Sequence, residues 1–192
     1  MPAPDPAVMA FLLSRRSRPA KTLKMPVPNR EQLIPILTAA ARIPDHGKLE
    51  PWRFIVLDSS ALDRLADLAA ERAAPLNIAP EKIAKGVAQF ASADLAVAVI
   101  ASPKQSEKIP AIEQTYSAGA ACLALLNAAL ASGWGANWLT GWAAYDRVFM
   151  SRGLGLEPDE SIVGFIHIGT QDGAPPERPR PDIDAKVIWM TQ

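Results

Sequence analysis

Between Glu113 and Asp146 the chain carries no Asp, Glu, Lys or Arg. Within that interval, Ala118 to Ala131 is a run of mostly small and aliphatic side chains suited to a helix. A helix with no charged face has to be buried by something. A bilayer is one burial medium, but a spanning helix needs about twenty strongly apolar residues. Ser117, Asn127, Ser132, Gly133, Gly135 and Asn137 dilute this segment, and its alanines contribute little transfer energy. Burial in protein fits better, and 192 residues make a small core in which to hide a helix on all sides. Burial against a second copy of the chain resolves that, so the interval points to a homodimer with this helix in its middle.

The rest of the composition bounds the chemistry. Twenty basic and twenty acidic side chains give a net charge of zero, and 49% of residues are hydrophobic, as expected of one compact soluble domain over residues 1–192. Without a basic block there is no electrostatic drive toward nucleic acid or an anionic membrane. A single cysteine, Cys122, excludes an internal disulfide framework and a cysteine-rich zinc site. The two histidines, His46 and His167, lie far apart in sequence, so no histidine metal centre is expected, although carboxylates could still hold a hard cation. Met1 to Pro6 has no positive stretch, and the Arg15-Arg16 pair follows the apolar run Ala7 to Leu13 rather than preceding it. That is the reverse of a twin-arginine signal and predicts a cytoplasmic protein.

Punctuation along the chain predicts the elements. Asp5-Pro6 reads as an N-cap with proline at the first helical position, and the helix ends at Ser14-Arg15-Arg16-Ser17. Asn29 with Gln32 is a capping box, opening a helix to about Arg42. Pro44-Asp45-His46-Gly47 is a turn, and Trp52 to Leu57 a strand. Ser60 is expected to cap a helix over 61–74, and Pro80 to start another to about Phe90. Leu95 to Ile100 reads as a fully buried strand. The uncharged helix spans Ile112 to Ala131, ended by Gly133 and Gly135. Ala136 to Leu139 is extended, Asp146 to Arg152 a short helix, Ile162 to Ile168 a strand and Val187 to Met190 a terminal strand. Pro175 to Pro181 is an extended arm. The sum is a mixed α/β or α+β layer fold.

Familiar catalytic motifs are missing. Thr115-Tyr116-Ser117-Ala118-Gly119 lacks the first glycine of a nucleophile elbow. Gly133-Trp134-Gly135 and Gly153-Leu154-Gly155 lack the third glycine of a dinucleotide fingerprint, and no glycine-rich loop ends in Gly-Lys-Ser or Gly-Lys-Thr. What remains is polar groups beside aromatics. Arg15, Arg16 and Ser17 suit a phosphate dianion, though arginines also favour a helix C-terminus through the macrodipole. Pro44-Asp45-His46-Gly47 runs into Glu50-Pro51-Trp52-Arg53-Phe54, a polar turn ahead of an aromatic strand, which serves equally as a structural turn. Gly135 to Trp142 offers backbone donors, the Thr140 hydroxyl and two indoles, useful against a flat heteroaromatic ring or simply as core tryptophans beside a turn.

Taken in order, these segments resemble the nitroreductase family of flavin enzymes, and most closely its compact YdjA-like branch. The resemblance runs from Arg15-Arg16-Ser17 through Ala41-Arg42-Ile43-Pro44-Asp45-His46, Pro51-Trp52-Arg53-Phe54, Tyr116-Ser117-Ala118-Gly119 and Trp138-Leu139-Thr140-Gly141 to Ile162 through Thr170. It implies an α+β fold in which helices flank a central mixed, mainly antiparallel sheet, with the long buried helix at the dimer interface. It implies a homodimer with FMN at the subunit interface. Arg15, Arg16 and Ser17 would lie on the phosphate and ribityl side of FMN, and Arg42 and His46 would also contact the flavin. Trp138, Leu139 and Thr140 would form a strip supplied by the other subunit. Arg42 is the candidate for positive charge near the reduced flavin. The family often has arginine where Leu139 stands, and Arg178 and Arg180 are candidates, on charge alone, to compensate near the phosphate. Ala129 to Trp134 corresponds to a nicotinamide contact. The implied activity is ping-pong hydride transfer from NADH or NADPH through flavin N5 to nitroaromatics or quinones, with no side chain acting as nucleophile or acid. Three other readings stay open: a non-catalytic flavin carrier or sensor, flavin-dependent reduction or dehydrogenation of an activated carbon–carbon bond, and a flavin-free structural dimer.

Overall fold

The computed structural model describes residues 3–76, 78–173 and 175–191, and among them forms an α+β fold. In chain order the elements are α1 (Pro6–Ser14), β1 (Leu23–Lys24), α2 (Arg30–Ala40), β2 (Trp52–Asp58), α3 (Ser59–Ala73), α4 (Pro80–Ala91), β3 (Leu95–Ala101), α5 (Ala111–Ala131), β4 (Gly135–Leu139), α6 (Arg147–Leu154) and β5 (Ser161–Gln171). The strands lie in the order β2-β3-β5-β4, with β1 paired to the end of β5 at Thr170 and Gln171. Every pairing among the described residues is antiparallel, so the expected parallel admixture is absent from them. Between β2 and β3 the reason is the connection. Two packed helices, α3 and α4, return the chain to the end of the sheet it left, placing Leu95 opposite Asp58.

The sheet separates two cores. On one face Ala96, Ala98, Ile100, Ile162 and Phe165 meet α3, α4 and α6, with Phe90 at 5.1 Å from Phe165 and 5.3 Å from Phe149 between ring centroids. On the other, Val97, Val99, Ala136, Ile166 and Ile168 meet α2 and α5. β3 contributes to both, as its unbroken apolar run predicts.

Local chemistry explains the helix starts. The Asn29 side chain accepts from Gln32 N at 2.9 Å while Gln32 Oε1 accepts from Asn29 N at 3.0 Å, the reciprocal box the spacing predicts. Asp58, not Ser60, caps α3: its carboxylate accepts from Ala61 N at 2.9 Å, and the Ser60 hydroxyl donates to it at 2.8 Å. A carboxylate at the N-cap offers two acceptor oxygens, so the nearby serine becomes its donor. Gly133 follows the end of α5 with φ of 87°. Gly135 instead begins β4, where a Cβ would come within 2.6 Å of Leu23.

The terminal-strand expectation fails. Val187 to Met190 forms no strand. Trp189 is 85% exposed there, and a short apolar run that pairs with no strand has nothing to hold it extended. Within one chain, the uncharged α5 is buried on one face only. Ser117, Ala118, Ala121, Cys122, Leu125 and Ala129 are buried, but Ile112, Tyr116 and Leu123 are exposed, Tyr116 by 67%. These lie on the opposite face at helical spacing, bordered by half-buried Gly119, Ala120, Ala124 and Asn127. Among the described residues, no helix is long and apolar enough to cross a membrane.

Candidate functional site

Three hollows follow one another along β4 and share lining residues. The first, about 500 Å³, is lined by Arg15, Arg16, Ser17, Asn137, Arg178 and Arg180. The second, about 420 Å³, lies between α4 and the β4–β5 pair, with Lys85, Gln89, Asn137, Leu139 and His167 around it. The third, about 480 Å³, reaches Trp138, Thr140, Gly141 and Trp142 and shares Lys85, Gln89 and Leu139 with the second. Together they make one trough.

Its first end is strongly cationic. Arg15 is the C-cap of α1, its N–H bonding Phe11 O at 2.8 Å, so the macrodipole favours its charge. That does not explain the two further arginines the carboxy-terminal arm brings alongside. Burial first, then the Arg180 and Arg16 charges, lower the Arg15 pKa, and Arg15 Nε is buried without a partner. Glu177 is the local counter-charge, 2.9 Å from both Arg16 and Arg180. A single exposed carboxylate among four guanidinium groups leaves capacity for a bound anion.

The middle is held by backbone stitching. Arg18 N donates to Ala136 O at 2.8 Å, and Asn137 Nδ2 donates to Arg18 O at 2.6 Å. These bonds fix the segment after α1 to the edge of β4, which sets the arginines at the head of the trough. His167 sits on β5 opposite Ala96 and Asn137. It is 1% exposed, and neither ring nitrogen has a hydrogen-bond partner. Burial pushes its pKa down to about 4, so the ring is neutral at pH 7. Gln89 Nε2, on α4, is likewise buried and unpartnered.

At the far end each tryptophan rests on a glycine. A Cβ on Gly164 would come within 2.0 Å of Trp138 Nε1, and one on Gly86 within 2.0 Å of Trp142 Nε1. The Trp138 indole packs into the core on the α2–α5 face of the sheet and the Trp142 indole into the core on the other face, so the trough meets Trp142 and the backbone at Trp138. Leu139 and Thr140 beside them are half-buried.

Arg42 and His46 lie elsewhere. Both are exposed at the end of α2 and in the following turn. The Asp45 carboxylate ties that turn by accepting from Leu49 N at 3.2 Å and Glu50 N at 2.7 Å, which holds Lys48 and Glu50 in left-handed conformations with φ of 53° and 48°. His46 Nδ1 is 2.6 Å from Glu113 Oε2. Ser117 donates to Pro44 O at 2.8 Å and accepts from Trp52 Nε1 at 3.1 Å. The turn is thus stapled to the start of α5, beside exposed Ile112 and Tyr116.

Of the residues singled out from sequence, the trough gathers Arg15, Arg16, Ser17, Trp138, Leu139 and Thr140 in one chain, joins Arg178 and Arg180 to them, and leaves out Arg42 and His46. Residues 129–134 do not line it either, and Ala129 is buried in the core facing α2. Sequence reasoning missed Asn137, His167, Lys85 and Gln89. The available signals were a polar residue inside the apolar β5 run and an i, i+4 pair on α4, neither of which names a ligand.

Comparison with known proteins identifies the family. The model of the nitroreductase family matches residues 12–170. YdjA of Escherichia coli (strain K12), provisionally named an NAD(P)H nitroreductase, is 33% identical over 162 residues, covering 84% of this chain and 87% of that protein. A nitroreductase-like family protein from Bacillus cereus superposes with a TM-score of 0.80 at 24% identity over 99% of each chain. A protein from Desulfovibrio desulfuricans, provisionally named a nitroreductase and solved in complex with FMN, superposes with a TM-score of 0.72 at 21% identity, covering 95% of this chain and 96% of that one. With a family match across most of its length and a relative at this level of identity, the chain belongs to the nitroreductase family.

Proposed function

We propose that this protein is an FMN-dependent oxidoreductase that draws on NADH or NADPH and reduces electron-poor acceptors such as nitroaromatics or quinones. The observation that carries this reading is the order of groups along the trough: arginines, then buried polar side chains, then backbone and the Trp142 indole. A molecule with a phosphate, a polyol and a flat ring meets matching chemistry in that order. The orphaned Arg15 Nε, Gln89 Nε2 and His167 nitrogens along the trough fit such a ligand, because buried polar groups are ordinarily paired. The names of the relatives support it too, one carrying NAD(P)H and one bound to FMN.

Bound in the trough, FMN supplies the hydride chemistry. The chain's residues do the holding. Arg15, Arg16, Arg178 and Arg180 bind the phosphate, and Ser17 assists as a hydroxyl partner. Leu139 gives apolar cover where a charge is missing, and the arm's arginines restore positive charge at the phosphate end. The Lys85 ammonium and the Gln89 amide are donors beyond the middle of the trough, suited to stabilising negative charge that develops on reduction. Thr140, Trp142 and the backbone at Trp138 flank the flat ring.

A homodimer completes the site. The exposed face of α5 and the turn stapled to it would carry Arg42 and His46 of a second copy to the open side of the trough. With Trp138 to Thr140 in the same trough as Arg15, the second copy contributes Arg42 and His46 rather than the tryptophan strip. The cytoplasm, as the supply of reduced nicotinamide, is the compartment this reading expects.

The visible spectrum tests it. The purified protein is expected to show flavin absorption that bleaches on anaerobic addition of NADH or NADPH and returns with a quinone or nitroaromatic. A colourless protein that takes up no added FMN would overturn the cofactor, and a bound flavin that neither nucleotide bleaches would leave a carrier.

A further inference from the structure

We infer that His167 is a ligand-binding residue whose imidazole hydrogen-bonds the polyol of the molecule held in the trough. This rests on the FMN reading above and deepens it.

Three observations converge on His167. Its ring lines the middle hollow, between the arginine end and the indole end, which is where the ribityl chain of a molecule anchored by its phosphate would run. Both ring nitrogens are buried and without partners. The neighbours are not placed to satisfy them: Ala96 across β3 has no polar side-chain atom, and the Asn137 amide across β4 donates to Arg18 O at 2.6 Å. A purely structural residue at this position would be apolar, like Phe165 two positions earlier on the same face of β5. A buried imidazole with no partner is instead a group awaiting one.

The chemistry of the ring selects the partner. A neutral imidazole offers one donor and one acceptor, and so does each hydroxyl of a polyol. Phosphate offers only acceptors once ionised and belongs to the arginine end. His167 therefore helps distinguish a flavin carrying its ribityl chain from a bare ring.

The test compares wild type with His167→Phe and His167→Gln, each stripped of flavin and titrated with FMN and with lumiflavin, which keeps the ring but lacks the polyol and phosphate. His167→Phe is expected to lose about tenfold in FMN affinity, the scale of one buried hydrogen bond. His167→Gln, which keeps a donor and an acceptor, is expected to stay within about threefold of wild type. Lumiflavin is expected to bind all three alike. The FMN-free His167→Phe protein should unfold at a temperature no lower than wild type, since it removes an unsatisfied polar group. Unchanged FMN affinity in His167→Phe, an equal loss toward lumiflavin, or a fall in the FMN-free melting temperature of both variants would each overturn the inference. Failure of wild type itself to bind FMN would instead overturn the reading of the trough.

Discussion

Arg15 keeps its charge against burial and against two neighbouring guanidinium groups, which together lower its pKa. Like charges drawn together on a folded chain mark a place where an anion relieves the repulsion. Removing Arg15 should therefore affect FMN more than folding. Arg15→Ala is expected to weaken FMN binding by about tenfold to a hundredfold, the scale of charge-assisted hydrogen bonds, read by fluorescence titration. Full flavin occupancy with unchanged affinity would contradict the assignment. The arginines were legible before the structure because they are adjacent in sequence and end a helix. Arg178 and Arg180 were legible only as charge. His167, Gln89 and Lys85 were not legible as site residues at all. Whether a side chain on β5 or α4 faces a trough or a core depends on what packs against it, and spacing along the chain does not encode that.

α5 shows the same limit at the scale of an element. The absence of charge from Gln114 to Tyr145 predicts burial, and the chain's size points to a second copy for part of it, but the pattern does not say which face each partner covers. One face is buried by the sheet and α2, and the other, carrying Ile112, Tyr116 and Leu123, is left outside. On the proposed homodimer, Leu123→Lys on that face should leave the helical content unchanged in circular dichroism and turn the dimer into a monomer in sedimentation. A variant that sediments as wild type would remove α5 from the interface. Helix boundaries were legible to within one or two residues because caps are local: Asn29 with Gln32, Asp5 ahead of Pro6, Asp146 ahead of α6. The two-residue β1 was missed, and the terminal strand at Val187 to Met190 was expected in error. Strands depend on partners that the local pattern does not name.

For the molecule as a whole, two buried groups contribute separable parts of the response to acid. Arg53 Nε and Nη2 donate to the two Glu160 oxygens at 2.7 and 2.6 Å, and chiefly through these bonds the Glu160 pKa falls to about 2. Its contribution is present above the ordinary carboxylate pKa and is lost as pH falls through that range toward 2. His167 is depressed from 6.5 to about 4 by burial. The unfolded chain therefore binds more protons between those values, and stability falls as pH drops from 6.5 to 4, by about 3 kcal/mol at most. Urea unfolding of the FMN-free protein is expected to show both declines in succession. His167→Gln should abolish the upper one and spare the lower, and persistence of the upper decline would assign it to another group.

β5 pairs with β1, β3 and β4, yet of the five strands among the described residues it is the last to be synthesised. Until it arrives, β3 has a partner on one side only, with an apolar edge open on the other. The β4 edge that receives Arg18 has no strand to lie on. The sheet can therefore close only after residue 171 has left the ribosome, and folding of this chain is late and dominated by contacts distant in sequence. The unpaired edge of β3 in the nascent chain is the surface most exposed to aggregation during that wait.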